Sequence, residues 1–220
     1  MIAPTRLPDS DRFDPWSRPV PRLKYFGGFA IQYLVWMAMY FGVNALTSGR
    51  SALQPLLPGE HLIPLVAAAY PFYALAYPLV VLPLFLCRTR RAYLHTQLAC
   101  ALASLIAFAV YMAFPMPYPR PINLHLDGFW ASLLAFEWSF DEPRNTFPSL
   151  HVAFGWLIYL ALRHEAPRWR SLLLFLAVAI SISTVLVKQH FIADVGSGAL
   201  LAWVAWRVAG RWTAQVTVAR

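Results

Sequence analysis

Long apolar runs separated by short polar connections dominate the chain, and three of the runs exceed the length needed to cross a bilayer. About 30 Å of hydrocarbon and a rise of about 1.5 Å per residue set that length at roughly 20 mostly apolar residues. Runs at 25–47, 62–87 and 93–114 reach it, and shorter ones follow at 149–162, 171–187 and 191–208. The second run carries Pro64, Pro71, Pro78 and Pro83. Proline removes a backbone donor, so this run is expected to be a kinked helix whose freed groups are satisfied by neighbours. The fourth run would rise only about 20 Å, which places its first turn below the bilayer surface. The pattern predicts an all-α polytopic membrane protein with six transmembrane helices. Its expected organisation is an N-terminal arm at 1–24, a catalytic membrane domain at 25–213 and a tail at 214–220.

Composition agrees with that pattern. The chain is 59% hydrophobic and only 13% charged, with a mean hydropathy of +0.52. A water-soluble domain carries about a quarter charged residues. The arm is polar and rich in Pro, Arg and Asp. It lacks an early apolar core, so it reads as a solvated segment rather than a signal peptide. Cys87 and Cys100 sit in or beside apolar runs and read as buried thiols, without disulfide or metal-binding spacing.

The net charge of +8 invites a nucleic-acid reading, but its distribution follows the membrane. Lys and Arg concentrate in cytoplasmic loops. Fourteen of the eighteen lie before the first run, between the second and third, between the fourth and fifth, or at and beyond the end of the sixth, where Arg207 sits in its last two residues. The other four are Arg50, Arg120, Arg144 and Lys188. Both termini are therefore expected to be cytoplasmic, with the connections after runs one, three and five facing outward. No nucleic-acid partner is expected. The longest connection, 115–148, lies on the outer side, and long loops are often functional. Within it, 129–140 is rich in Trp, Phe and Leu. This stretch reads either as a short interfacial helix or as an irregular, partly buried loop.

Acidic residues are scarce. Of ten, Asp194 alone falls inside an apolar run, and an ionisable group there is costly enough to suggest function. His190 precedes it by four residues. On a helix the two share a face, so the carboxylate can hold one ring nitrogen and free the other as nucleophile or base. A purely structural His–Asp pair is the alternative. A second cluster runs Arg144-Asn145-Thr146-Phe147-Pro148-Ser149-Leu150-His151. Ser149 is placed as a helix cap, and free backbone N–H groups at a helix start favour phosphate. An ordinary capped span with an incidental histidine is the other reading. Topology brings both clusters to the outer face. Arg144 and Lys188 flank the two histidines in sequence, as a phosphate site requires. The outer acids Asp127, Glu137, Asp141 and Glu142 read as solvated loop residues, with head-group binding as the alternative.

Pro148-Ser149-Leu150-His151 resembles the P-S-G-H motif of the type 2 phosphatidic acid phosphatase superfamily. Ser183, His190 and Asp194 resemble its S-R-x5-H-x3-D motif. The motifs lie in the C-terminal half, and the six-span layout extends the resemblance to the whole chain. The resemblance implies that His190 attacks phosphorus and becomes a transient phosphohistidine, with Asp194 in support. It implies that His151 protonates the leaving oxygen and then activates the acceptor, while Ser149 and backbone N–H groups hold phosphate oxygens. Three positions depart from the pattern. Thr184 stands where the family has Arg, Leu150 where it has Gly, and Ala113 where the K-x6-R-P motif has Lys, leaving Arg120-Pro121. Lys188, two residues before His190, is the cation expected to supply the missing charge, while Arg120 reads either as a phosphate contact or as an ordinary interfacial arginine. The altered motifs look more like the branch of inositolphosphoryl transferases and sphingolipid synthases, which move a phosphorylated head group to an alcohol.

The expected function is cleavage or transfer of a phosphoester on a membrane lipid phosphate, at the outer or periplasmic face of a bacterial inner membrane, without a cofactor or metal. The rival readings are a zinc hydrolase using His151, His190 and Asp194 as ligands, and a lipid-binding or transport protein.

Overall fold

The computed structural model describes residues 16–50, 54–121 and 127–218, with side chains described as far as 214. Arg6, Arg12, Arg220, most of the arm and the end of the tail lie outside the described residues. Everything described is helix or connection, without a strand. The long helices are α1 (Arg22–Thr47), α5 (Arg90–Ala113), α8 (Arg170–Leu186) and α9 (Ile192–Val218). With the turn before α8 included, these four are long and apolar enough to cross a membrane. Their outward faces carry Ile31, Leu34, Val35, Leu105, Phe175, Ile182, Leu200 and Trp203, all exposed. Apolar side chains facing outward are the mark of helices solvated by lipid.

The second expected span is not one kinked helix. It breaks into α2 (Tyr70–Ala74), α3 (Ala76–Leu79) and α4 (Leu82–Leu86), preceded by 3-10 turns at Glu60–Leu62 and Ala67–Ala69. Pro71, Pro78 and Pro83 recur every five to seven residues, and no helix propagates through so many missing donors. The fourth expected span is α7 (Leu150–Glu165), sixteen residues long. It tolerates that shortness because it is the central helix. Val152, Ala153, Leu157, Ile158 and Leu162 are fully buried among α3, α5, α8 and α9.

Small residues set how closely the bundle packs. Ala99, Ala103 and Ala107 of α5 are fully buried, as are Ala202, Ala205 and Ala209 of α9. All six belong to one core cluster with Leu150, Ala153 and Leu157 of α7. In lipid, helices associate by close van der Waals approach rather than by a hydrophobic drive, so a seam of alanines lets the backbones meet. Part of the arm also differs from the solvated segment expected. The carbonyls of Trp16 and Arg18 accept the N–H groups of Arg91 and Arg90, each at 3.0 Å. Those are orphan donors at the start of α5, which this strap satisfies.

The two ends of the bundle differ. At one end Arg22 donates to the Phe85 carbonyl and Glu165 accepts from the Arg88 N–H. At the other, the C-terminal ends of α1, α5 and α8 meet the N-terminal ends of α7 and α9. There the 115–148 connection closes over the bundle, with α6 (Phe129–Phe140) inside it. Residues 129–140 are thus helical. α6 turns Ala131, Leu134 and Glu137 inward and Phe129, Trp130, Phe136 and Phe140 outward.

Replacing Ala205 by Leu should overfill the α5–α9 seam and cost about 1–3 kcal/mol. A fall in the thermal unfolding midpoint of the purified protein in detergent is the expected measurement, and an unchanged midpoint would show that the seam is not tightly packed.

Candidate active site

The turn between α8 and α9 builds the first half of the site. The N–H groups of Gln189 and His190 both return to the Thr184 carbonyl, at 3.1 and 3.2 Å. Lys188 takes the left-handed conformation, with φ of 57°, which costs a non-glycine residue about 1 kcal/mol. The chain reverses there, so His190 precedes α9 instead of sharing a helix face with Asp194. The pair still meets. Asp194, fully buried in the first turn of α9, accepts from the Phe191 N–H at 2.9 Å and lies 3.2 Å from His190 Nδ1. A second acceptor, the Thr146 carbonyl, lies 3.0 Å from the same nitrogen. A carbonyl only accepts, so Nδ1 carries the proton and Nε2 of the neutral ring keeps its lone pair.

The start of α7 builds the second half. Ser149 caps it, accepting from the Val152 N–H at 3.4 Å. Ser149 is fully buried, and its hydroxyl serves the helix. His151 follows in the first turn. Its ring stacks on Tyr73 at 4.1 Å and meets the edge of Tyr77 at 5.1 Å. The two imidazoles lie 5.8 Å apart, centre to centre, and both line one cavity of about 450 Å³. His151 Nε2 is buried without a partner among the described residues.

The expected cations diverge. Arg144 turns toward the α1 end, pairing with Glu142 at 2.7 Å and reaching the carbonyls of Thr47 and Arg50. Lys188 donates to the Ile63 carbonyl. Neither lines the cavity. Arg120 donates to the Trp138 carbonyl at 3.0 Å and to Gln189 Oε1 at 2.7 Å, so it is linked to the residue beside His190. His151, His190 and Asp194 are brought together, with Arg120 one residue removed. Ser149 lies behind them as a cap, while Arg144 and Lys188 are held elsewhere. Ser183 and Thr184 bond back into α8. Among the described residues no three His, Cys, Asp or Glu side chains are disposed to hold a metal ion.

Two of the outer acids are not solvated. Glu137 is 3% exposed and Asp141 6%, and both line the histidine cavity. Tyr70 and Tyr77 each donate to Glu137, at 2.8 and 2.9 Å, and Tyr40 donates to Asp141 at 2.9 Å. Asp127 and Glu142 are exposed as expected. Glu137 lies three residues from Leu134 on the face of α6 that turns inward, but the sequence leaves open whether 129–140 is helical, so nothing in it marks these two acids. Glu60 was also silent in sequence. It is buried and accepts from the N–H groups of Leu57 and Ile192, thereby capping the start of α9.

A membrane-type helical bundle with a paired-histidine cavity at one end defines a recognisable class, and comparison with known proteins gives it a name. The PAP2 superfamily profile matches residues 48–208, and the chain belongs to that superfamily. Membership points to phosphatase-type or phosphotransferase chemistry. An uncharacterized protein of Methanocaldococcus jannaschii is 34% identical over 70 residues, covering 32% of this chain and 29% of that relative. The chain thus matches less than a third of the relative's length. No solved structure matches.

Burial pushes the Asp141 carboxyl up to about 6, against the hydrogen bond from Tyr40 and the charge of Arg120, which both lower it. The fold therefore favours the protonated acid. Its contribution to stability is complete below about pH 4, the range of a free Asp, and is lost as pH rises through about 6. Asp141→Asn should raise the unfolding midpoint relative to the parent above pH 6 and give no gain below pH 4. Midpoints measured from pH 4 to 8 check this, and a pH-independent difference would refute it.

Proposed function

We propose that the protein cleaves or transfers the phosphoester group of a membrane lipid phosphate through a phosphohistidine on His190. The observation that carries this reading is the fixing of His190 Nδ1 by Thr146 and Asp194, which leaves Nε2 free in a cavity shared with His151. In the first step Nε2 attacks phosphorus and the P–O bond to the lipid leaving group breaks. The anionic phosphate between the two rings favours the charged form of His151, which gives that oxygen its proton. In the second step His151 takes a proton from water or an acceptor alcohol. The oxygen so released attacks the phosphohistidine, and Nε2 departs. Asp194 and the Thr146 carbonyl hold the Nδ1 proton throughout, and Asp194 supports the positive charge on the ring.

The cavity also extends along α1 and α5, lined by Phe29, Tyr33, Trp36, Cys100, Leu105 and Phe108. An apolar slot joined to a polar end suits a lipid better than a soluble phosphate. Orientation follows from charge. The described residues Arg22, Arg88, Arg90, Arg163, Arg168 and Arg170 belong to the end opposite the histidines. That favours six crossings, with the broken α2–α4 segment and α7 completing the four long helices. It also favours cytoplasmic termini and a periplasmic or outer site in a bacterial inner membrane. The motif at 147–151 keeps the inositolphosphoryl transferase-like branch as the proposed affiliation, with an alcohol competing with water as acceptor.

A panel of lipid phosphates with purified protein, reading both free phosphate and transferred head group, tests the reaction. His190→Ala should abolish both products without changing the unfolding midpoint by more than a few degrees. Turnover at the parent rate in that variant would end the phosphohistidine mechanism. Arg120 is the proposed cation nearest the phosphate, acting directly or through Gln189. Losing a charged donor there should cost about 1.5–3 kcal/mol, or on the order of 10- to 100-fold in kcat/KM. Arg144→Ala and Lys188→Ala should change it less than about threefold, since both cations are engaged away from the cavity. Equal losses in all three variants would place the phosphate elsewhere.

A further inference from the structure

The cavity has two chemically different walls. On the α6 side stand Glu137 and Asp141. Each tyrosine that touches them spends its only hydroxyl proton on a carboxylate, so this wall presents acceptors and aromatic faces. Asn145 adds another acceptor. It is 5% exposed, and its Nδ2 donates to the Tyr40 carbonyl at 3.0 Å. That bond fixes the amide and leaves Oδ1 buried without a partner among the described residues. The histidine side is the reverse. Gln189 is 3% exposed, and its Oε1 must face Arg120, which only donates. Its Nε2 is therefore a buried donor without a partner among the described residues. Both amides line the cavity.

Buried unpaired polar atoms are costly, and so are two buried carboxylates against one nearby arginine. A ligand with an anionic acceptor group at one end and a cationic donor group at the other would satisfy all of them. A polyol would supply hydroxyls to both walls but would leave the carboxylate charge uncompensated.

We infer that the Glu137–Asp141 wall is a subsite for a primary ammonium group on the lipid head group, with Asn145 as a further acceptor. The lipid class this selects is a zwitterionic amino-phospholipid whose phosphate lies toward His190. This rests on the phosphate site proposed above, and Gln189 is its link to that site. Phosphate placed between Gln189 and the histidines has its amine end directed to the acceptor wall.

Binding separates the inference from the chemistry. Isothermal titration of the full chain in detergent, using the His190→Ala protein to prevent turnover, should compare O-phosphoethanolamine, glycerol 3-phosphate and inositol 1-phosphate. O-phosphoethanolamine is expected to bind at least tenfold more tightly than the other two. In Glu137→Gln and Asp141→Asn the ratio should collapse to within threefold of one. Equal affinities for the three probes before any wall substitution would overturn the inference, and that comparison needs no further variant to fold. A preference for inositol 1-phosphate, lost in the same variants, would overturn it too by assigning the wall to hydroxyls. A parent protein that turns over no lipid phosphate would instead defeat the proposed reaction, whatever the binding ratio.

Discussion

α9 passes so close to the first turn of α7 that a Cβ at Gly198 would fall 2.5 Å from the Ser149 carbonyl and 3.0 Å from the Val152 side chain. Only glycine permits that approach. The same junction carries a hydrogen bond from the Ser149 N–H to the Asp194 carbonyl, at 3.2 Å. Everything chemical in the molecule depends on this contact. It brings the turn bearing His190 beside the helix start bearing His151, and it puts the Thr146 carbonyl within reach of His190 Nδ1. Tyr111 reinforces it from α5 by donating to the Pro148 carbonyl at 2.6 Å. A site built on helix termini and locked by backbone contacts holds its geometry better than one carried on free loops.

The bundle around that junction solves the problem that lipid poses. Lipid tails offer no hydrogen bonds, so the helices satisfy their own backbones and meet through small residues. The α2–α4 segment is the exception, and its place explains why it is tolerated. Its broken turns pack against α6, α7 and α8, and Tyr70, Tyr73 and Tyr77 project from them into the cavity. A continuous helix would present a tyrosine face at a fixed spacing. The proline breaks instead aim Tyr70 and Tyr77 at one carboxylate and Tyr73 at His151. The irregular backbone lines the polar end of a cavity, which is where such backbone is stable in a membrane protein.

The cavity also carries polar groups that folding alone does not justify. Asp194 Oδ1, His151 Nε2, Asn145 Oδ1 and Gln189 Nε2 are buried without partners among the described residues, and Asp141 is held in a setting that disfavours its charge. Natural sequences break local rules of this kind chiefly at functional sites, and the rest of the structure compensates. Here the compensation is the alanine seam, the buried face of α7 and the Glu60 cap on α9. The amino-phospholipid subsite and the histidine pair thus follow one logic, in which charges and dipoles are pre-arranged for a ligand that completes them.

The long apolar helices were legible in the chain because hydropathy reports directly on lipid exposure. The expected runs at 25–47, 93–114 and 171–187 lie within a few residues of α1, α5 and α8. Asp194 also stood out, since a lone acid in an apolar run is costly wherever that run folds. Sequence could not tell that the prolines of 62–87 fragment the helix, because a single proline kinks and only their joint spacing breaks. Nor could it separate Glu137 and Asp141, which are buried, from Asp127 and Glu142, which are exposed. Four acids in one connection look alike until α6 docks and tyrosines from α1, α2 and α3 reach them. The directions of Arg144, Lys188 and Arg120 were equally hidden. A long cationic side chain near a histidine in sequence can point either way, and here the acceptors at Thr47, Ile63 and Gln189 decided. Residue types and membrane segments were written in the chain because they depend on local composition. Which polar groups face one another depends on contacts between residues far apart in the chain, and those exist only once the helices have packed.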